Sequence, residues 1–387
     1  MKYWRGYLVA AIIGFFTWAL SAYAKTHTKL IDMVYPYFAR MVQSTLSSWT
    51  SSVDVVLWQL LALLAIAALL VGIVMMIIWK WNPIQFIGWV LAAASLVFFL
   101  HTGVYGLNYY AGPMAEDIRL EVTEYNAAQL EEAAAYYRDH ANTLSGQIRR
   151  TAEGKPDFPD FDTLAQQAGN GFHNLTYQRG YSIFAGDLTP VKKLAWADFM
   201  TSTGTTGMHM PITGEAAVNP KIPAVAMPFT MCHEMAHRMS ISQEQDANFA
   251  AFMACDANES VEFRYSGYFM AYLYCYNALA QADAAAAARV RTGADARLLQ
   301  DIMDYNRYFS EKEDKEASKT VDKLNDAYIN ASGNDRGIES YGDVVQLLVS
   351  WHIQEVVLPA QAEQEQSKFD PYAIMPGQQT DGGQSNG

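Results

Sequence analysis

From Val53 to Ile78 the chain reads "VDVVLWQLLALLAIAALLVGIVMMII", with no charge after Asp54 and no helical or strand period. A helix needs about 20 apolar residues to cross a bilayer. A buried soluble helix has no need of such an unbroken series of Leu, Ile and Met, so we read residues 53–79 as a membrane span. Whatever else the chain builds, it builds beside lipid.

Two more apolar runs flank this one. Gly6 to Ala24, "GYLVAAIIGFFTWALSAYA", follows Lys2 and Arg5 and ends in "SAYA", the small-x-small pattern a signal peptidase accepts. It reads equally as a retained helix (6–24) or a cleaved leader. A third run, 84–107, closes on the aromatic "YGLNYY" and follows the tight connection Lys80–Trp81–Asn82. Lys80 argues for a cytoplasmic turn, whereas Lys25, Lys29 and Arg40 argue the other way. Counting crossings decides: with the first run retained or removed, everything after residue 112 is expected on the extracytoplasmic face of the cell membrane.

The membrane region is thus 1–112, and the remainder has a different character. Charged residues are only 17% of the chain, yet net charge is −13, and most of the acid follows residue 115. Such a surface does not bind nucleic acid by neutralising phosphates. Cys232, Cys255 and Cys275 lie in apolar helical contexts without CxxC spacing and are expected as buried thiols. Helical patterns run from Met114 to about Arg150, from Leu273 to Tyr308 and from Asp343 to Val357. "GKPDFPDF" at Gly154–Phe161 is a loop, and strand is expected only between Tyr181 and Val225. The Gln/Gly-rich tail, 359–387, is expected to be disordered. The fold class is mainly α: transmembrane helices, then a mostly helical domain over 113–358 with a small β element.

The chemistry concentrates in "PFTMCHEMAHRMSISQEQDANFAAF", Pro228–Phe252. On a helix, His233 and His237 lie one turn apart on one face, a spacing that presents two imidazoles to one zinc ion. Glu234 projects beside that ion, placed to take a proton from zinc-activated water. A catalytic zinc keeps three protein ligands and one open position. Ser242 with Gln245 reads as a capping box opening a new helix, with Glu244 in its first turn. In an ExxA(D/N) arrangement Glu244 is the third ligand and Asn248 steadies a ligating histidine. Asp246 competes for the ligand role if the helix starts one residue later.

Nearby segments could complete the site. A strand such as "EAAVN" (215–219) could pair with a substrate backbone. A lone loop histidine such as His209 usually lies at the surface; the alternative is that it approaches the metal. Arg264 and Tyr265 are candidates to stabilise an oxyanion, against the plainer reading of Tyr265 as a packing aromatic.

Beyond these features, the chain resembles a bacterial membrane family known as domain of unknown function 3810. The likeness rests on "VYPYFARMVQSTLSSWTSSVDVV", "PITGEAAVN", the zinc segment, "FRYSGY" and "YINASGNDRGIESYGDVVQLL", in that order over roughly residues 30 to 358. Its HExxH and E-x-(D/E)-A-N-F elements resemble those of gluzincin peptidases, with Asn248 where many gluzincins carry Asp. The resemblance implies a zincin-like domain whose third ligand comes from a sharply reversed helix. It implies a membrane-anchored zinc metallopeptidase acting on a peptide or protein. The competing expectation is a non-catalytic membrane scaffold or sensor with a structural or vestigial zinc site. Intramembrane cleavage would need the motif inside a span, and it lies about 120 residues beyond the last one.

Overall fold

The structure is a computed structural model that describes residues 2–321, 323 and 341–362. The expected tail lies outside the described residues from 363 onward; 358–362 are still helical. The first helices are α1 (Arg5–Thr26), α2 (Thr28–Thr50), α3 (Leu57–Ile78) and α4 (Pro83–Val104). Of these α1, α3 and α4 are long and apolar enough to cross a membrane.

Helices α1 and α4 run parallel. Gly6 meets the backbone of Gly88 at one end, where a Cβ would stand 2.4 Å from a carbonyl carbon. At the other end Ala24 packs in one cluster with Leu107. Helix α3 starts four residues later than the apolar run because its first amides find a partner in the rest of the chain. The Leu57 and Trp58 N–H groups donate to the Glu215 carboxylate at 2.8 and 2.9 Å, and Lys192 pairs with the same carboxylate at 2.7 Å. A buried carboxylate at a helix N-terminus satisfies orphan donors and the helix dipole together.

The expected helix from Met114 to Arg150 is broken. After a short turn at Met114–Asp117, residues 118–126 are not helical, and α5 spans Ala127–Ser145. Asn126 and Gln129 form a reciprocal capping box that fixes this start. The preceding segment is held instead by the last helices: Glu121 N–H donates to Gln354 and Thr123 N–H to Ser350, both at 3.0 Å. The run from Leu273 to Tyr308 likewise divides. Following α6 (Phe161–Tyr177), α7 (Met227–Arg238) and α8 (Glu244–Asp256) come α9 (Val261–Ala282), α10 (Ala284–Thr292) and α11 (Ala296–Lys312). Asp283 makes the first break by accepting the Ala285 and Ala286 N–H groups. The late helix is α12 (Tyr341–His352), continued by a π-helical turn at Ile353–Val357.

The core is one cluster of aromatic and small residues shared by these helices, including Tyr137, Phe172, Phe249, Phe252, Phe263 and Phe269. Contacts are close where side chains are small: a Cβ on Gly171 of α6 would fall 1.8 Å from the Ala254 carbonyl oxygen of α8. The three cysteines are free and buried within this core.

Strands occur where expected. β1 (Lys192–Lys193), β2 (Gly207–Met210) and β3 (Glu215–Val218) form a sheet of order β1-β3-β2, parallel between β1 and β3 and antiparallel between β3 and β2. This corrects one expectation. The "EAAVN" strand is central, with both edges already paired, so it offers no edge to a substrate. β1 and β2 are the edge strands of this sheet, and β2 is the one that lines the cavity described below.

Candidate metal centre

Helix α7 is buried along nearly its whole length, by Met231, Cys232, Met235 and Ala236, so its position is set by packing rather than solvent. That rigidity aims His233 and His237 at a common point, with Nε2 atoms 3.0 Å apart. The chain then reverses through Met239–Gln243, with Ser240 at a φ of 70°, and α8 begins at Glu244. The Ser242–Gln245 capping box does not form; Gln243 is the N-cap and offers no side-chain cap. Glu244 therefore opens the helix, where the dipole favours its negative charge. Its carboxylate reaches His233 Nε2 at 3.4 Å and His237 Nε2 at 3.5 Å.

The three ligand atoms lie within 4.8 Å of one another. Ligands held about 2.0–2.2 Å from a tetrahedral zinc stand roughly 3.3 Å apart, so the observed separations of 3.0–3.5 Å suit one ion. Orientation agrees. His237 Nδ1 sits 2.8 Å from the Ile241 carbonyl, which fixes Nδ1–H as donor and leaves the Nε2 lone pair facing the cluster. Burial opposes charge on His237, but Glu244 outweighs it and raises the pKa to about 9. Burial likewise opposes ionisation of Glu244, yet the two imidazoles hold its pKa well below the usual carboxylate range. The pocket is built for net positive charge at its centre.

Glu234 is buried beside this group, and burial raises its pKa against the pull of the two imidazoles. His233, His237, Glu244 and Glu234 open onto a cavity of about 850 Å³, lined also by Gly207, His209, Tyr105 and Tyr274. Gly207 is required there, since a Cβ would lie 2.4 Å from Glu234 Oε1.

Several expected roles are corrected. Asp246 is not a ligand: it is buried on another side of α8 and accepts the Met114 N–H at 3.1 Å. Two helical positions differ by about 200°, so Glu244 and Asp246 cannot both face the cluster. Asn248 lines the cavity and accepts a hydrogen bond from the Tyr274 hydroxyl at 3.2 Å; the group that orients His237 is the Ile241 carbonyl. His209 is not a fourth ligand, because its Nε2 is engaged with Gln43 Oε1 of α2 at 3.1 Å. Tyr265 is fully buried and donates to Asp301, which also holds Arg150 through two bonds of 2.9 and 2.8 Å. Neither Tyr265 nor Arg264 lines the cavity. The tyrosine of α9 that does is Tyr274, nine residues on and half a turn out of phase. Nothing in a single sequence marks Tyr274, Gln43 or Ile241, each of which arrives from a different element.

Fold and site together define a mainly helical protein with three helices long and apolar enough to cross a membrane and a His–His–Glu group that could hold a metal ion. The chain belongs to the family described as "Protein of unknown function (DUF3810)", which matches residues 31–349. No curated protein and no solved structure matches it.

Proposed function

We propose that this protein is a membrane-anchored, zinc-dependent metallopeptidase whose zincin-like domain lies on the extracytoplasmic side. The observation that carries the reading is the convergence of His233, His237 and Glu244 beside a buried Glu234 at the wall of an open cavity. A zinc ion in that group supplies Lewis acidity to the scissile carbonyl and to water. Glu234 takes the proton from the attacking water and returns it to the leaving amine, a role suited to a carboxylate whose pKa is raised by burial. The free edge of β2, where Gly207, Met208 and His209 line the cavity, suits an extended peptide added as a further strand. Tyr274 lines the same cavity with its hydroxyl donating to Asn248 at 3.2 Å, and it is the candidate to turn toward an oxyanion.

A scaffold or sensor built on a structural zinc would need a closed shell of four protein ligands, whereas one with a vestigial site would bind no metal at all. Among the described residues the group stops at three, and His209 is committed to Gln43. That favours an open position and hence catalysis.

The test is metal content and hydrolysis of a quenched-fluorescent peptide mixture by the full chain in lipid nanodiscs. Wild type is expected to carry one zinc per chain, and Glu234→Gln to keep the metal and lose turnover. Wild type without metal, or Glu234→Gln with full turnover, overturns the proposal.

A further inference from the structure

Helix α2 is amphipathic, unlike the uniformly apolar helices α1, α3 and α4 beside it. One face carries Ile31, Tyr35, Ala39, Arg40, Gln43 and Ser47, all buried. This face is tied to the rest of the chain: Arg40 donates to the Ser182 carbonyl at 2.8 Å, Gln43 to Pro211 at 3.1 Å, and Arg238 reaches Ser47 at 3.3 Å. The opposite face exposes Leu30, Met33, Val34, Tyr37, Phe38 and Met41, each more than 40% accessible. Their spacing of three and four residues makes one continuous stripe.

Both ends of α2 are pinned at one level. Its start follows the end of α1 after a single residue, His27, and α1 ends beside the end of α4, where Ala24 packs with Leu107. At its other end, Lys192 Nζ binds the Thr50 and Val55 carbonyls at 2.8 and 3.1 Å. The last residue of α2 therefore lies within about 6 Å, the sum of those distances, of a residue just before α3. The start of α3 stands at the same level as the end of α4. Leu57 bonds Glu215, Glu215 pairs in register with Met210, and the ring of the neighbouring His209 lies tilted against Tyr105 at the end of α4, with centroids 5.2 Å apart. Twenty-three residues of helix, about 34 Å long at 1.5 Å per residue, cannot stand upright with both ends at one membrane surface.

We propose that α2 lies in the plane of the membrane surface with its Leu30–Met41 stripe bedded in the lipid head-group and upper acyl region. The occupant is the bilayer itself, because the stripe continues the lipid-facing surface of the spans that hold both its ends. Its polar face looks the other way, into the domain. Through Gln43 and His209 that face supports the wall of the metal cavity, so the cavity stands about one helix diameter, roughly 10 Å, above the lipid. The inference concerns placement and holds whether or not the site is a peptidase.

The test uses the full chain in liposomes containing phosphatidylcholine brominated along its acyl chains. A fluorophore is attached at Val34→Cys or Met41→Cys; the native cysteines are buried and do not compete. Leu64→Cys, exposed on α3, reports full lipid contact, and Lys155→Cys, exposed on a distant loop, reports water. Quenching at positions 34 and 41 of at least half that at 64, with none at 155, is expected. Quenching at 34 and 41 no greater than at 155 overturns the proposal, as does protection of the stripe by disulfide linkage between two copies through Val34→Cys. Should either label impair insertion, shown by loss of quenching at 64 in the same chain, Thr45→Cys on the same face gives the equivalent reading.

Discussion

Replacing Gly207 by alanine tests the geometry of the proposed base without touching a ligand. Gly207 is not among the positive-φ glycines, so the backbone accepts alanine without strain. The added Cβ would meet Glu234 Oε1 at 2.4 Å, Cγ at 2.7 Å and Cδ at 2.8 Å. An ordinary contact needs roughly 3.4 Å, so the carboxylate must retreat by about 1 Å. A displacement of that size in a catalytic group costs about 100-fold in rate, equivalent to about 2.7 kcal/mol of transition-state stabilisation. The atoms that must move are the end of a flexible side chain, so folding stability is expected to change by less than about 1 kcal/mol. The assay is turnover of the peptide mixture beside zinc content and denaturant unfolding in nanodiscs. Wild-type turnover in Gly207→Ala would refute the argument. So would loss of zinc, because Glu234 is outside the ligand group.

Three further outcomes follow from contacts already described. Glu244→Ala is expected to lose zinc, whereas Asp246→Ala keeps it and loses stability, since it removes the acceptor of the buried Met114 N–H; metal analysis separates them. Glu215→Gln breaks a buried pair with Lys192 that also caps α3, and should cost about 3 kcal/mol, read from unfolding in detergent. Tyr265→Phe should cost about 1–2 kcal/mol in stability and leave turnover unchanged, because its hydroxyl serves Asp301 and not the cavity.

Much of this molecule is legible along the chain. Three apolar runs announce membrane helices within a few residues of their ends, because lipid demands length and apolarity and nothing else. The HExxH spacing places two imidazoles together, since a helical turn is a local property. The choice of Glu244 over Asp246 follows from helical phase, and phase depends on where α8 starts. That start is decided by how α8 packs on α6 and α7, and the capping signal at Ser242 misleads because packing outweighs a cap.

What the fold alone decides is which distant residues come to the site. Tyr105, Gly207 and Tyr274 share one cavity, and Gln43 holds its wall through His209, although these residues span more than two hundred positions. The sequence singles out Tyr265 and not Tyr274, and only the direction of α9 against the core sends the first to Asp301 and the second to the cavity wall beside Asn248. Helix α2 makes the same point: its stripe is visible in the residues, but the level of its second end is set by Lys192 and Glu215, more than a hundred positions away. Local periodicity is written into neighbouring residues, whereas convergence is the outcome of burying one shared core, to which every helix contributes at once.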